Sequence, residues 1–355
     1  MAIKEGKKIS VVIPVYNGAN DIKKSVNSVM NKCNLQIEVI VVDDCSEDET
    51  PQVLKDLACK DSRIKIFRHE KKRGPLCGRL TGVKQASGEF ISFLDCGDTL
   101  NIDNLYELID SADPSAHIIV GGADLRMPRL GKIAYSRPHS EVKKLLQNDI
   151  RSLYNTKDVY KYFIEGQLPG SMWDKIYRRE WLINHLPQEL NTQVGEDYYF
   201  TLMVFPHSDK VQFSDCSFYQ WTYSGLASKY FLDKFQENAK TMNVVFDRIE
   251  EEGFPTIISK EEAREAVAYK FLYQTMLGIA EGCRKNLDNN NLLALAADMF
   301  ATEAMNKALK YAKTFKGVPT SELTPETMIP LAKAHIKRHK KYYLFTRILN
   351  LIYRQ

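Results

Sequence analysis

Four short runs of β-forming residues recur through the first hundred positions, and their texture limits the fold more than any other feature of the chain. They are ISVVIPV (9–15), IEVIVV (37–42), RIKIF (63–67) and FISFL (90–94). Each is nearly continuous in apolar residues rather than alternating, which is how strands covered on both faces of a parallel sheet read. Parallel neighbours need long crossovers, and the segments between the runs carry a helical period. Ile22, Val26, Val29, Met30 and Cys33 form an i, i+4, i+7, i+8 stripe behind an expected Asn20 cap. Thr50 is expected to cap the next helix, with Pro51 at its first position and Val53, Leu54, Leu57 and Ala58 facing inward. The order β-α-β-α-β-α-β predicts an α/β fold with a Rossmann-like, doubly wound, mainly parallel sheet.

That architecture says where function should lie. In open α/β sheets a ligand sits beyond the carboxyl ends of the strands, where loops diverge and helix N-termini point inward. The four strands are followed by PVYNGAN, DDCSEDET, RHEKKRGP and DCGD, so one rim should collect a tyrosine, two adjacent aspartates, a basic loop and an acid pair. Tyr16 can stack on a base, Asp44 can accept from a ring N–H, Arg79 adds positive charge, and Asp95 with Asp98 can hold a divalent cation against a diphosphate. Taken singly, each has a plainer role. A tyrosine after Pro14 packs a turn, two aspartates before a serine open a helix, and D-x-x-D sits in solvated loops. No G-x-G-x-x-G follows the first strand and no G-x-x-x-x-G-K-[ST] occurs, which argues against dinucleotide and Walker-type sites.

The blocks ISVVIPVYNGANDIKKSVNSV, IEVIVVDDCSEDET, GRLTGVKQASGEFISFLDCGD, MWDKIYRREWL and GEDYYF, in this order, resemble family 2 glycosyltransferases of the GT-A fold over roughly the first 230 residues. The resemblance implies inverting transfer of a sugar from a nucleotide donor, most often a UDP-sugar, to a hydroxyl of a growing glycan. It implies that Pro14 and Tyr16 flank the base, that Asp44 with Asp43 beside it binds the base, that Arg79 supports the nucleotide, and that Asp95 begins a D-x-D holding Mn²⁺ or Mg²⁺. The chain departs from that pattern at Gly97, where the family has a second acid, and at Cys45, where it has glycine. Three readings stay open: Asp98 takes over the metal, the metal is bound weakly or not at all, or the site is degenerate. Gly97 permits a positive φ that would swing Asp98 inward, so Asp95 with Asp98 is the metal pair carried forward.

In QVGEDYYFTLMVF, Glu196 and Asp197 precede a helical run. Acids in a first turn need no function beyond the helix dipole, but the resemblance implies Asp197 as general base with Glu196 beside the acceptor. SMWDKIYRREWL supplies Trp173, Asp174 and Lys175 as acceptor-side residues, although packing accounts equally well for the tryptophan. From about residue 232 the pattern is helical without a catalytic constellation. The expected organisation is therefore a transferase domain over 1–230, with a nucleotide-binding half (1–110) and an acceptor-binding half (111–230), and a helical appendage over 231–355. Residues 335–355 hold six Lys/Arg and no acid, and on a helix Leu344, Phe345, Ile348, Leu351 and Ile352 share one face. This tail fits either a helix that closes the core or a peripheral contact with anionic lipid at the inner membrane.

Composition narrows the classes. The 355 residues are 44% hydrophobic, and the net charge of +4 lacks the aromatic platforms or helix-turn-helix pattern of a nucleic-acid binder. Seven scattered cysteines with no C-x-x-C point to a reducing compartment, and no signal peptide or membrane span is expected, so the expected location is cytoplasmic. The partners expected are a UDP-sugar and a glycan or lipid-linked acceptor, in capsule, lipopolysaccharide or teichoic-type synthesis. A non-catalytic nucleotide-sugar or glycan-binding protein on the same fold is the alternative.

Overall fold

A computed structural model describes residues 7–31, 36–127, 132–137, 153–165, 168, 170–222, 232–251 and 257–340. Cys33 and the tail beyond 340, including the Leu344 to Ile352 face, lie outside the described residues. The chain divides into two compact units, Met1–Tyr160 with Gly170–Thr222, and Lys161–Pro169 with Tyr223–Gln355.

The first unit is built on a ten-stranded mixed sheet among the described residues. Strands β1 (Ile9–Val15), β2 (Ile37–Asp43), β3 (Ile64–Arg68) and β4 (Phe90–Phe93) are the four apolar runs. They lie in the order β3-β2-β1-β4, all parallel. Every residue of β1, β2 and β4 is buried, as their unbroken apolar texture requires. β5 (Thr99–Leu100), β6 (Ile118–Met127), β7 (Lys132–Arg137), β8 (Leu153–Asn155), β9 (Lys175–Arg178) and β10 (Lys210–Thr222) extend the sheet. β9 lies antiparallel between β4 and β6, while β10 runs parallel to β6 and antiparallel to β5.

Helices α1 (Ile22–Met30), α2 (Thr50–Lys60), α3 (Pro75–Gln85) and α4 (Ile102–Asp110) flank the sheet. Ile22, Val26 and Val29 are buried as the stripe predicts, but Asp21 rather than Asn20 occupies the N-cap position and its side chain makes no capping bond. Thr50 is already helical, and Asp48 Oδ1 accepts its N–H in the role expected of Thr50. α3 approaches β1 closely because Gly78 and Gly82 stand one turn apart on the contact. A Cβ at Gly82 would lie 2.2 Å from Val12 Cγ1, and one at Gly78 would lie 3.0 Å from Pro14 Cβ. The chain passes from β1 to β2 on one side and returns from β3 to β4 on the other, so the strand order reverses between β1 and β4. That reversal is the crevice where such sheets bind ligands.

The second unit contains the helices Leu232–Glu250, Lys260–Arg284, Asn289–Phe300, Glu303–Tyr311 and Pro325–Arg338. The last four begin at side-chain caps, Ser259, Asp288, Thr302 and Thr324. Among the described residues, no helix is long and apolar enough to cross a membrane.

Candidate functional site

The close packing of α3 on β1 carries Arg79 to the strand ends and buries it, with 3% of its side chain exposed. Its Nη2 donates to Asp95 Oδ1 at 2.5 Å, and Nη1 lies 3.6 Å from Glu196 Oε1 and 3.9 Å from Asp197 Oδ1. One guanidinium thus gathers the acid at the end of β4 and both acids at the start of the helix Glu196–Val204. The turn that aims this helix needs Gly195, whose φ is 86°. Burial opposes a charged guanidinium, but the three carboxylates outweigh it and hold Arg79 protonated beyond the ordinary arginine range. Arg79 Nε and Nη1 make no hydrogen bond among the described residues. Glu196 is pushed up to about 7, first by burial and then by the charge of Asp197, with Arg79 opposing. The side chain of Asp197 is 26% exposed against 13% for Glu196, so it is the acid an incoming molecule meets.

The other rim residues are tied down differently. Tyr16 follows β1 exposed, with Lys72 Nζ 3.7 Å from its ring centroid. Pro14 is buried beneath α3 rather than open at the rim. Asp43 is 1% exposed and ion-paired with Arg68. Asp44 is 3% exposed and already holds three donors: Oδ1 bonds His69 Nδ1 at 2.7 Å and accepts Arg73 N–H at 2.9 Å, and Oδ2 accepts Gly74 N–H at 2.8 Å. His69 Nε2 bonds Thr81 Oγ1 at 2.9 Å. Asp44 therefore fastens the basic loop after β3 to the end of β2. His69, which the sequence alone does not single out, completes that fastening.

At the start of β9, Asp174 and Lys175 are 2% and 0% exposed and pair with each other at 2.6 Å, with Lys175 Nζ also donating to Ser171 O. The pair expected on the acceptor side is enclosed in the protein. Trp173 is half-buried, its ring 4.6 Å from that of Tyr219 on β10.

The acid turn after β4 has the positive φ expected of Gly97, at 98°, and Asp98 N–H closes it onto Asp95 O. The two carboxylates, however, part company. Asp95 is 37% exposed with one oxygen on Arg79. Asp98 is buried, accepting Tyr219 Oη–H at 2.6 Å on Oδ2 and Thr222 N–H at 2.8 Å on Oδ1. Burial pushes its carboxyl up to about 7, against those two hydrogen bonds. Among the described residues no cluster of three or more His, Cys, Asp or Glu is arranged to hold a metal. The donor set therefore fits a cation in one respect: Asp95 can supply a single carboxylate to an ion otherwise ligated by a ligand's phosphates and water, the usual arrangement for Mg²⁺.

Comparison with known proteins places this site in context. Residues 10–183 match the model for glycosyl transferase family 2. The succinoglycan biosynthesis protein ExoO of Rhizobium meliloti is 34% identical over 199 residues, 56% of this chain and 55% of that protein. The chain spans about half the length of the first curated relatives it matches. The structure of S. aureus TarS 1–349 in complex with UDP-GlcNAc superimposes with a TM-score of 0.57 at 20% identity, covering 98% of this chain and 92% of that one. The mannosyltransferase PcManGT of Pyrobaculum calidifontis, solved with GDP-Man and Mn²⁺, gives 0.50 at 15% identity, covering 98% and 88%.

Proposed function

This chain belongs to glycosyl transferase family 2, matched over residues 10–183, and from that premise we propose that it moves a sugar, with inversion, from a UDP-sugar to a hydroxyl of a glycan or lipid-linked acceptor during synthesis of a bacterial surface polysaccharide. The observation that carries the reading is the Arg79 cluster, which sets a partly exposed acid, Asp197, within 3.9 Å of a guanidinium that also binds Asp95 at the crevice. The UDP-GlcNAc complex of TarS supports the donor class, and the role named for ExoO supports polysaccharide synthesis.

In this reading the acceptor hydroxyl approaches Asp197, which takes its proton as the oxygen attacks the anomeric carbon. The new carbon–oxygen bond forms as the bond to the diphosphate breaks on the opposite face, and the electron pair leaves with UDP. A single displacement of this kind inverts the anomeric centre and needs no covalent sugar-enzyme intermediate. Asp197 is favoured over Glu196 as base because it is more exposed and because Glu196 retains its proton up to about pH 7. Arg79 holds both acids and Asp95 in one array, so that no side chain need reorganise as charge develops. Tyr16 and Lys72 form the part of the rim suited to a base and its phosphates. Mn²⁺ or Mg²⁺ at Asp95 would neutralise the leaving diphosphate.

The test is release of free nucleoside diphosphate from a panel of UDP-, GDP-, dTDP- and CMP-sugars, with wild type and Asp197→Asn. Turnover with a UDP-sugar is expected in the wild type. The variant should lose about 10² to 10⁴ in rate while binding UDP as before. Wild-type turnover in the variant rejects Asp197 as base. Donor binding without turnover of any sugar would favour the alternative motivated by Gly97, a nucleotide-sugar-binding protein without transferase activity.

A further inference from the structure

The two acids of the Asp95–Asp98 turn face different things. Asp95 opens to solvent beside Arg79, whereas Asp98 lies among elements that reach the turn from both sides. From β10, Tyr219 Oη donates to Asp98 Oδ2 and Thr222 N–H to Oδ1. From α1, Ser25 Oγ donates to Asp98 O at 2.9 Å and accepts Gly97 N–H at 2.9 Å. Lys24 Nζ donates to Gly97 O at 2.8 Å and to Thr222 Oγ1 at 2.7 Å, bridging the turn to the end of β10. Tyr219 is fully buried, and its hydroxyl oxygen also lies 3.3 Å from the Asp95 N–H it accepts. The same hydroxyl therefore touches the side chain of one acid and the backbone of the other.

We propose that Asp98 is a positioning residue: with Tyr219 and Thr222 it locks the acid turn onto β10, and it leaves Asp95 as the one carboxylate the turn offers to the diphosphate and its cation. To ligate a cation directly, Asp98 must either share oxygens that already accept two bonds in a buried setting or release them. Release strands the Tyr219 hydroxyl, a fully buried donor, and costs the desolvation of that group. It also loosens the backbone of Asp95, because the residue that releases Asp98 is the one that fixes Asp95 N–H. Gly97, with no side chain, adds no ligand of its own. Trp173 packs against Tyr219 at a tilt of 32°, so the ring that holds the turn is itself fixed by the segment entering β9.

This inference rests on the UDP-sugar reading for its ligand, and its test separates the two. Mn²⁺ uptake would be measured by electron paramagnetic resonance with UDP present, in wild type, Asp95→Asn, Asp98→Asn, Asp98→Ala and Tyr219→Phe. An amide at position 98 still spans the two partners, its oxygen accepting Thr222 N–H and its NH₂ donating to the Tyr219 oxygen, but the Tyr219 O–H loses its acceptor. Asp98→Asn, which keeps the turn tethered at the loss of one acceptor, should weaken Mn²⁺ uptake about threefold, less than Asp98→Ala and Tyr219→Phe, which should each weaken it about 10-fold, the effect typical of outer-shell groups. Asp95→Asn should cost at least about 100-fold. If Asp98→Asn loses as much as Asp95→Asn and Tyr219→Phe behaves as wild type, Asp98 is a ligand and the proposal is wrong. A wild type that takes up no UDP refutes the donor reading instead. The lock is then judged on the ligand-free protein by urea unfolding of Asp98→Ala, Tyr219→Phe and the double variant. Non-additivity of about tenfold or more in the unfolding constant supports it, and strict additivity overturns it.

Discussion

Glu196→Gln should stabilise the protein at pH 8 and change little at pH 5. The Glu196 carboxyl is 13% exposed, sits beside Asp197, and is raised from the ordinary 4.5 to about 7. An acid raised on folding contributes no penalty below its unfolded value, where it is protonated in both states. The penalty grows as pH climbs from 4.5, because the unfolded chain ionises first, and it is complete once pH passes the folded value. Moving from 4.5 to about 7, at about 1.4 kcal/mol per pH unit, amounts to about 3 kcal/mol above pH 7 and to less than about 1 kcal/mol at pH 5. A neutral amide escapes this penalty, and its oxygen can still face Arg79 Nη1, which lies 3.6 Å from Glu196 Oε1. The readout is urea unfolding followed by tryptophan fluorescence. All three tryptophans, Trp173, Trp181 and Trp221, belong to the unit that contains Glu196, so the signal reports on that unit. With a slope of about 3 kcal/mol per molar urea, the midpoint at pH 8 should rise by about 1 M. A variant less stable than wild type at pH 8, or equally stabilised at both pH values, would refute the reasoning, because either result means that Glu196 is ionised at no cost.

Gly97→Ala should cost about 1–2 kcal/mol in the same assay, since φ is 98° and the nearest foreign atom to an added Cβ, Asp21 Cβ, is a tolerable 3.7 Å away. Wild-type stability in that variant would mean the turn adopts another conformation. Lys175→Met should cost about 3–5 kcal/mol by leaving Asp174 buried and unpaired, and Lys175→Met combined with Asp174→Leu should recover most of the loss. A stable Lys175→Met protein with impaired transfer would return Lys175 to the acceptor side.

The strands were legible because burial on both faces removes polar residues from β1, β2 and β4 and leaves a run that can hardly form anything else. The position of the rim was legible for a related reason: parallel strands end on the same side, so whatever follows each of them must share an edge. What each rim residue does was much less legible, because that depends on partners remote in the chain. Asp44 looks like a ligand group until His69 and the N–H groups of Arg73 and Gly74 are seen on its oxygens. Asp98 looks like a twin of Asp95 until Tyr219, 121 residues away, is seen to occupy it. Asp174 and Lys175, adjacent in sequence, read as two available charges and are one enclosed pair. No local pattern distinguishes these cases, since spacing fixes where a side chain starts and not what meets it.

One buried guanidinium faces Asp95, Glu196 and Asp197, so with all three acids ionised the cluster bears two surplus negative charges at the place where a diphosphate would have to approach. Two things reduce that surplus without rearranging the fold: a proton on Glu196, whose burial already favours it, and a cation at the exposed carboxylate of Asp95. The proton lowers the charge beside Asp197, the base we propose, and leaves that acid, the more exposed of the two, available. In the proposed reading a cation would lower it on the side of the diphosphate. Arg79, locked between them and barely exposed, is poorly placed to be the group that contacts the donor directly. Its physical role is to keep Asp95, Glu196 and Asp197 within a few ångströms of one guanidinium, which the mutual repulsion of the acids would otherwise oppose.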